Sequence, residues 1–189
     1  MKKILFILSI FLLISGSYAQ TIKFLGGPNL SNYHSTDETT SNKFGYWGGI
    51  GFELGQGLFT GEFDILYFQK GATVEVGGQD IDFTLSELLF PVMFKIKFLP
   101  GTSPYIFGGG EIGYVLSYKS SGAAALAGQD AVKSWDYGLV FGAGFELWFG
   151  STGIFFEARS HYGTAPMGEG AGFDFKTNSI AFLFGFVFF

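Results

Sequence analysis

Beyond residue 20 the chain holds no sustained helical period. Apolar residues instead alternate with polar or small ones, in short segments broken by turn signals. The alternation predicts eight strands, at 22–33, 44–54, 58–69, 84–98, 104–118, 135–148, 153–163 and 177–188. The connections after the second, fourth and sixth strands are short: GQG, LPGTS and GSTG. The other four are longer: HSTDETTSNK, KGATVEVGGQD, KSSGAAALAGQDAVKS and TAPMGEGAGFDFK. Tight turns at one end and long loops at the other are the pattern of a membrane-spanning barrel, with the short turns on the periplasmic side. An even strand count places both termini on that side as well.

Each strand divides into two sets that face opposite ways. In the fourth, Leu88, Phe90, Val92, Phe94, Ile96 and Phe98 oppose Glu87, Leu89, Pro91, Met93, Lys95 and Lys97. In the sixth, Trp135, Tyr137, Leu139, Phe141, Ala143, Phe145 and Leu147 oppose Asp136, Gly138, Val140, Gly142, Gly144 and Glu146. Every charge within the strands falls on one set. Lipid demands this separation, since an Arg or Lys facing the bilayer midplane costs about 2–4 kcal/mol in a barrel wall. Tyr46, Tyr67, Tyr118, Tyr137 and Tyr162 lie on the apolar set close to long loops, as an interfacial aromatic belt would. A soluble barrel with its Phe inside fails on volume, because eight strands enclose room for few large side chains. The charged set is rich in glycine instead (Gly45, Gly49, Gly51, Gly109, Gly113, Gly142, Gly144), which suits a crowded lumen.

The fold expected is therefore an all-β, eight-stranded antiparallel up-and-down transmembrane barrel with a side-chain-filled lumen, over residues 20–189. Residues 1–19 read as a cleaved signal peptide: Lys2 and Lys3, an apolar stretch from Ile4 to Ile14, then Ser17-Tyr18-Ala19. The last strand exposes Ile180, Phe182, Phe184, Phe186 and Phe188 to lipid. Phe184, Phe186, Phe188 and Phe189 form a terminal aromatic run similar to the assembly signal that barrel-insertion machinery recognises.

Composition narrows the chemistry. Of 189 residues 20% are aromatic and only 14% are charged, a surface short of charge. With no cysteine there is no disulfide, thiol nucleophile or Cys-based metal site. After residue 19, nine Lys/Arg face sixteen Asp/Glu, a net charge of −7 that argues against nucleic acid as a partner. Twelve charged residues point inward: Lys23, Glu53, Glu62, Asp64, Glu87, Lys95, Lys97, Glu111, Asp136, Glu146, Glu157 and Arg159. Lys95, Lys97, Glu53, Glu146 and Glu157 belong towards the short-turn end. Charges in so narrow a space must pair. They form either a salt-bridged plug or the lining of an ion-conducting or substrate-binding lumen. The eight acids outnumber the four bases, leaving some acids protonated, hydrated or paired with a bound cation.

Catalytic signals are weak. GGGEIG (108–113) fits G-x-G-x-x-G but lies in mid-strand with no helix after it, so no cofactor is expected. Ser160 and His161 are adjacent and face opposite sides. His161 is left either as a hydrogen-bonded rim residue or paired with an acid such as Asp136, as a general base would be. Pro91 and, more mildly, Pro28 interrupt strands that have no free edge, and predict a bulge or a broken ladder bond.

KFLGGPNLSN (23–32), SELLFPVMFKIKF (86–98), PYIFGGGEIGYVLSY (104–118), DYGLVFGAGFEL (136–147) and EARSHYGT (157–164) together resemble the PorT-like outer-membrane barrels of Bacteroidetes. The resemblance implies a small OmpA/OmpX-type barrel in the outer membrane. Its namesake assists protein secretion by the type IX system. The reading that follows is an integral outer-membrane protein, not an enzyme, with a structural or interaction role and loops exposed outside. A secretion accessory and a narrow channel are the alternatives. Partners expected are outer-membrane lipid, the insertion machinery and secretion-system or envelope proteins.

Overall fold

A computed structural model describes residues 20–34, 40–55, 57–76, 79–120, 133–165 and 176–189. The signal-peptide stretch lies outside the described residues. Eight strands follow in chain order: β1 (Gln20–His34), β2 (Thr40–Leu54), β3 (Phe59–Val76), β4 (Gln79–Lys97), β5 (Ser103–Ser120), β6 (Trp135–Phe149), β7 (Thr152–Gly163) and β8 (Lys176–Phe188). Each pairs antiparallel with its sequence neighbour. β1 pairs with β8, Ile22 opposite Phe188, so the sheet closes into a barrel. Closure leaves no free edge and satisfies the backbone within the wall, as hydrocarbon requires.

The two-residue alternation governs burial throughout. Along β8, Thr177, Ser179, Ala181, Leu183, Gly185 and Val187 are buried, while Ile180, Phe182, Phe184, Phe186 and Phe188 are exposed. The short turns after β2, β4 and β6 contain Gly55, Gly57, Gly101 and Gly150, all at φ between 73° and 102°, where a side chain is strained. The stretch 70–80, expected to be a loop, is mostly strand: β3 and β4 carry on past the tyrosine level to Val76 and Gln79. Its T-V-E-V alternation is strand-like, but Lys70-Gly71 before it and Gly77-Gly78-Gln79-Asp80 after it read as loop.

Neither proline causes a bulge. The β3–β4 pairing lapses at Asp64–Ile65 opposite Phe90–Pro91 and resumes at Leu66–Leu89 in the same register. Likewise β1–β8 pairing lapses at Gly27–Pro28 and resumes at Asn29–Ala181. Each proline remains paired on its other side, to Glu111 and Tyr46. A missing N–H thus costs one ladder locally, and the neighbouring ladder holds the strand. The register shifts fall elsewhere, between Asn42 and Trp47 on β2 and between Ser86 and Glu87 on β4.

The lumen is packed solid in mid-barrel. Leu25, Trp47, Leu66, Phe68, Leu89, Phe155 and Leu183 cluster along one side, and Met93, Tyr105, Phe107 and Val140 along the other. A Cβ on any of the seven inward glycines named above would lie 1.9–2.7 Å from its nearest neighbour. On outward Gly61 it would meet nothing within 4 Å. The glycine-rich face is the crowded one.

Candidate functional site: the lumenal charge network

Inward parity on seven of the eight strands brings the charges together in three tiers. In the middle, Lys23 Nζ lies 2.9 Å from Glu62 and 2.9 Å from Glu157 Oε1. Arg159 Nη1 donates to Asp64 Oδ2 at 2.6 Å, and Nη2 reaches Glu62 Oε1 at 3.1 Å and Glu157 Oε2 at 2.6 Å. Lys95 binds Glu62 directly and lies 3.1 Å from Glu53 and 3.6 Å from Glu157. Tyr105 donates its hydroxyl to Glu157 at 2.7 Å. The side chains of Arg159, Glu62, Asp64 and Glu157 have no exposed surface. Three bases thus face Glu62, Asp64 and Glu157, and the tier is charge-balanced. Aromatic faces complete it: the Arg159 guanidinium lies 5.3 Å from Trp47 and 5.4 Å from Phe107, and Lys95 sits 4.3 Å from Tyr105.

Towards the long loops, Lys70 Nζ lies 2.5 Å from Glu87 and 3.0 Å from Asp136, and Thr177 donates to Asp136 at 3.0 Å. His161 Nδ1 meets Glu111 Oε2 at 2.7 Å, and its ring packs 4.8 Å from Phe68. Towards the short turns, Lys97 binds Glu53 and lies 2.9 Å from Glu146. Below this pair opens a cavity of about 380 Å³, bounded by the three short turns and Phe189.

All twelve sequence-derived charges are therefore in the lumen, with two changes of tier and one of partner. Glu157 and Lys95, expected at the short-turn end, belong to the middle tier, Lys95 reaching down to Glu53 as well. His161 pairs with Glu111 and not with Asp136, which Lys70 and Thr177 occupy. Lys70 itself escaped the sequence reading, because it was placed in a loop; the even-numbered row Glu62, Asp64, Leu66, Phe68 carries straight on to it. With Lys70 the lumenal bases number five against eight acids. Ser179 stands opposite His161 across β7–β8 but donates to Ser31 Oγ at 2.8 Å, so no Ser–His dyad forms. Among the described residues, no three His, Asp or Glu side chains are placed to hold a metal ion.

On the outer wall, Tyr46, Tyr137 and Tyr162 are exposed. Tyr67 is half-buried, packing 6.0 Å from Tyr46. Tyr118, expected in the same belt, is instead on the inward face: the register shift between Ser86 and Glu87 sets it opposite buried Leu85, where it stacks 6.0 Å from Phe83. Phe184, Phe186 and Phe188 face outward, and Phe189, past the end of β8, is exposed and packs edge-on to Trp148 at 5.9 Å.

The model of the family described as "Outer membrane protein beta-barrel domain" matches residues 18–167. Among solved structures, the chain is similar to the outer membrane protein OprG from Pseudomonas aeruginosa, at 14% identity and a TM-score of 0.56, covering 89% of this chain and 94% of that one. It is also similar to Ail, the attachment invasion locus protein of Yersinia pestis, in complex with the heparin analogue sucrose octasulfate. There the identity is 15% and the TM-score 0.50, over 89% of this chain and 99% of that one. At such identities the likeness concerns the fold. No curated protein matches the chain in sequence.

Proposed function

We propose that this chain, which belongs to the outer membrane protein beta-barrel domain family, is a sealed barrel whose role is structural and interactive, exercised through its long loops. The observation that carries the reading is the middle tier: three bases and three acids, solvent-inaccessible and mutually bonded, filling the lumen from wall to wall. An ion crossing here must break pairs whose members cannot be left buried alone. A narrow channel is accordingly disfavoured. The long loops face outward, the short turns and both termini face the periplasm, residues 1–19 are removed on export, Tyr46, Tyr67, Tyr137 and Tyr162 mark the outer lipid interface, and Phe184 to Phe189 serve assembly.

Five of the nine basic residues after residue 19 and eight of the sixteen acids lie in the lumen, so the remainder of the chain holds four bases and eight acids. A polyanion such as the one bound to Ail therefore has no charge complement here. The secretion-accessory reading rests on the PorT-like motifs, and deletion of the gene tests it by whether exported proteins accumulate in the periplasm.

The direct test is single-channel conductance of the refolded barrel in a planar bilayer, beside Glu62→Ala and Lys95→Ala. Silence from the wild type is expected, with noisy openings in the variants. Steady ion-selective current from the wild type overturns the sealed-barrel reading.

A further inference from the structure

The lipid-facing wall departs from its own rule at one point. Between the two interfaces, the outward rows of the described residues are apolar or glycine except at Ser160 on β7, which is half-exposed. It stands two residues below Tyr162. The corresponding positions below Tyr46, Tyr67 and Tyr137 hold Gly48, Ile65 and Leu139. A hydroxyl facing hydrocarbon without a partner is unfavourable. On β8, Asn178 lies directly across from Tyr162 and Ile180 across from Ser160, with Lys176 one outward position above Asn178. Lys176 is exposed. Asn178 is half-exposed; its Oδ1 is covered by the wall and unbonded, so its NH2 is the group it offers outward. From the long-loop end inward the strip thus presents an ammonium, an amide NH2 beside a phenol, and a hydroxyl. Each of these groups donates, and none is negative.

We infer that this strip of β7 and β8 seats an anionic glycerophospholipid. Lys176 and the Asn178 amide hold its phosphate, Ser160 donates to an ester carbonyl, and the chain runs down Ile180 and Phe182. Two residues, roughly 7 Å along a strand, separate the level of Asn178 from that of Ser160. That is the drop from a lipid's phosphate to its ester carbonyls. A lysine at the membrane surface draws anionic lipid, and Tyr162 lies at the headgroup level where an aromatic belt belongs. The seat is on the outer wall and does not depend on the sealed lumen.

The test uses the refolded barrel, labelled at its isoleucine methyls, in phosphatidylcholine nanodiscs. These are doped with phosphatidylglycerol or with its diether analogue, which keeps the phosphate and lacks the carbonyls. Ile180 reports the seat by NMR, and Ile112, exposed to lipid on β5, reports the bilayer at large. The expected result is a saturable shift at Ile180 with phosphatidylglycerol, about threefold weaker with the diether, and none at Ile112. Ser160→Ala should erase the preference for the diester and keep the response to anionic lipid. Lys176→Gln should weaken both anionic lipids about fivefold and keep the diester preference. Both substitutions lie outside the lumen, and gel mobility before and after heating checks that each variant folds. Equal shifts at Ile112, an Ile180 shift produced by inorganic phosphate alone, or unchanged lipid preferences in the folded variants overturn the inference. So does an Ile180 shift that grows with the number of barrels per disc in pure phosphatidylcholine, which would give the strip to a second copy of the chain.

Discussion

Asp64 depends on one partner, and that dependence makes a quantitative prediction. Its ion pair is with Arg159, at 2.6 Å, and its other oxygen is buried with no hydrogen bond. Glu62 and Glu157 are better placed, because each also touches Lys23 and Lys95. Replacing Arg159 by Met keeps most of the volume and removes the charge. Glu62 and Glu157 retain two bases, whereas Asp64 is stranded in a lumen with no water contact. Breaking a buried pair in this way costs about 3–5 kcal/mol, most of it the uncompensated charge left behind. Asp64→Asn alone should cost less, about 1–2 kcal/mol, since Arg159 keeps Glu62 and Glu157. In the double variant the stranded charge no longer exists, so the two losses should fall short of their sum by about 2 kcal/mol. The assay is reversible urea unfolding of the barrel in lipid vesicles, followed by tryptophan fluorescence, with stability read at constant m-value. Losses that add to within about 0.5 kcal/mol would refute the pairing described for the middle tier.

Glycine substitutions should separate the two faces of the wall. A Cβ at Gly109 meets the Val92 carbonyl oxygen at 1.9 Å, while at neighbouring Gly108 nothing lies nearer than 3.7 Å. Gly109→Ala should therefore cost about 1–3 kcal/mol or block folding, and Gly108→Ala should be close to neutral, by the same urea titration. Phe141→Arg, in the middle of β6 and exposed to lipid, should cost about 2–4 kcal/mol, against about 0–1 for Tyr162→Arg at the interface. Beyond the tyrosine level, the hydrogen bond from Thr73 at 2.6 Å, helped by Lys43 at 3.3 Å, holds the Asp82 carboxyl below the ordinary aspartate range. Its contribution to stability is present above the unfolded-state pKa and lost as pH falls through the lower folded one. Thr73→Val should raise the NMR titration midpoint of Asp82, and an unmoved midpoint would remove Thr73 as its cause.

The wall was legible in the sequence because the bilayer enforces it residue by residue: one charge on the lipid side of a strand is intolerable, so parity is written into every strand that crosses. Beyond the lipid that pressure ends, and in the β3–β4 extension the short apolar row Ala72, Val74 and Val76 is set between Lys70-Gly71 and Gly77-Gly78, which read as loop. Lys70 was missed for that reason. The pairing inside the lumen was less legible still. Arg159 and Asp64 are 95 residues apart, and which inward charges meet depends on barrel closure and stagger, which no local pattern encodes. Yet a trace of the pairing is present in the glycines. Four lumenal acids stand directly across a ladder from a glycine: Asp64 opposite Gly51, Glu111 opposite Gly138, Glu157 opposite Gly144 and Asp136 opposite Gly113. In the first three a Cβ on the glycine would lie within 2.4–2.8 Å of the acid's side chain, and in the fourth it would lie 3.3 Å from Asp136 Cβ. The absent side chain lets the carboxylate lie over the neighbouring strand and reach a base beyond it. Glu111 on β5 passes over Gly138 on β6 to meet His161 on β7, whereas Asp136 lies further toward the long loops, beyond the last β6–β7 pair at Gly138 and Gly163. The glycines that looked like mere crowding relief are slots that decide which acid meets which base. In a lumen this narrow, specificity of pairing is obtained by removing side chains as much as by placing them.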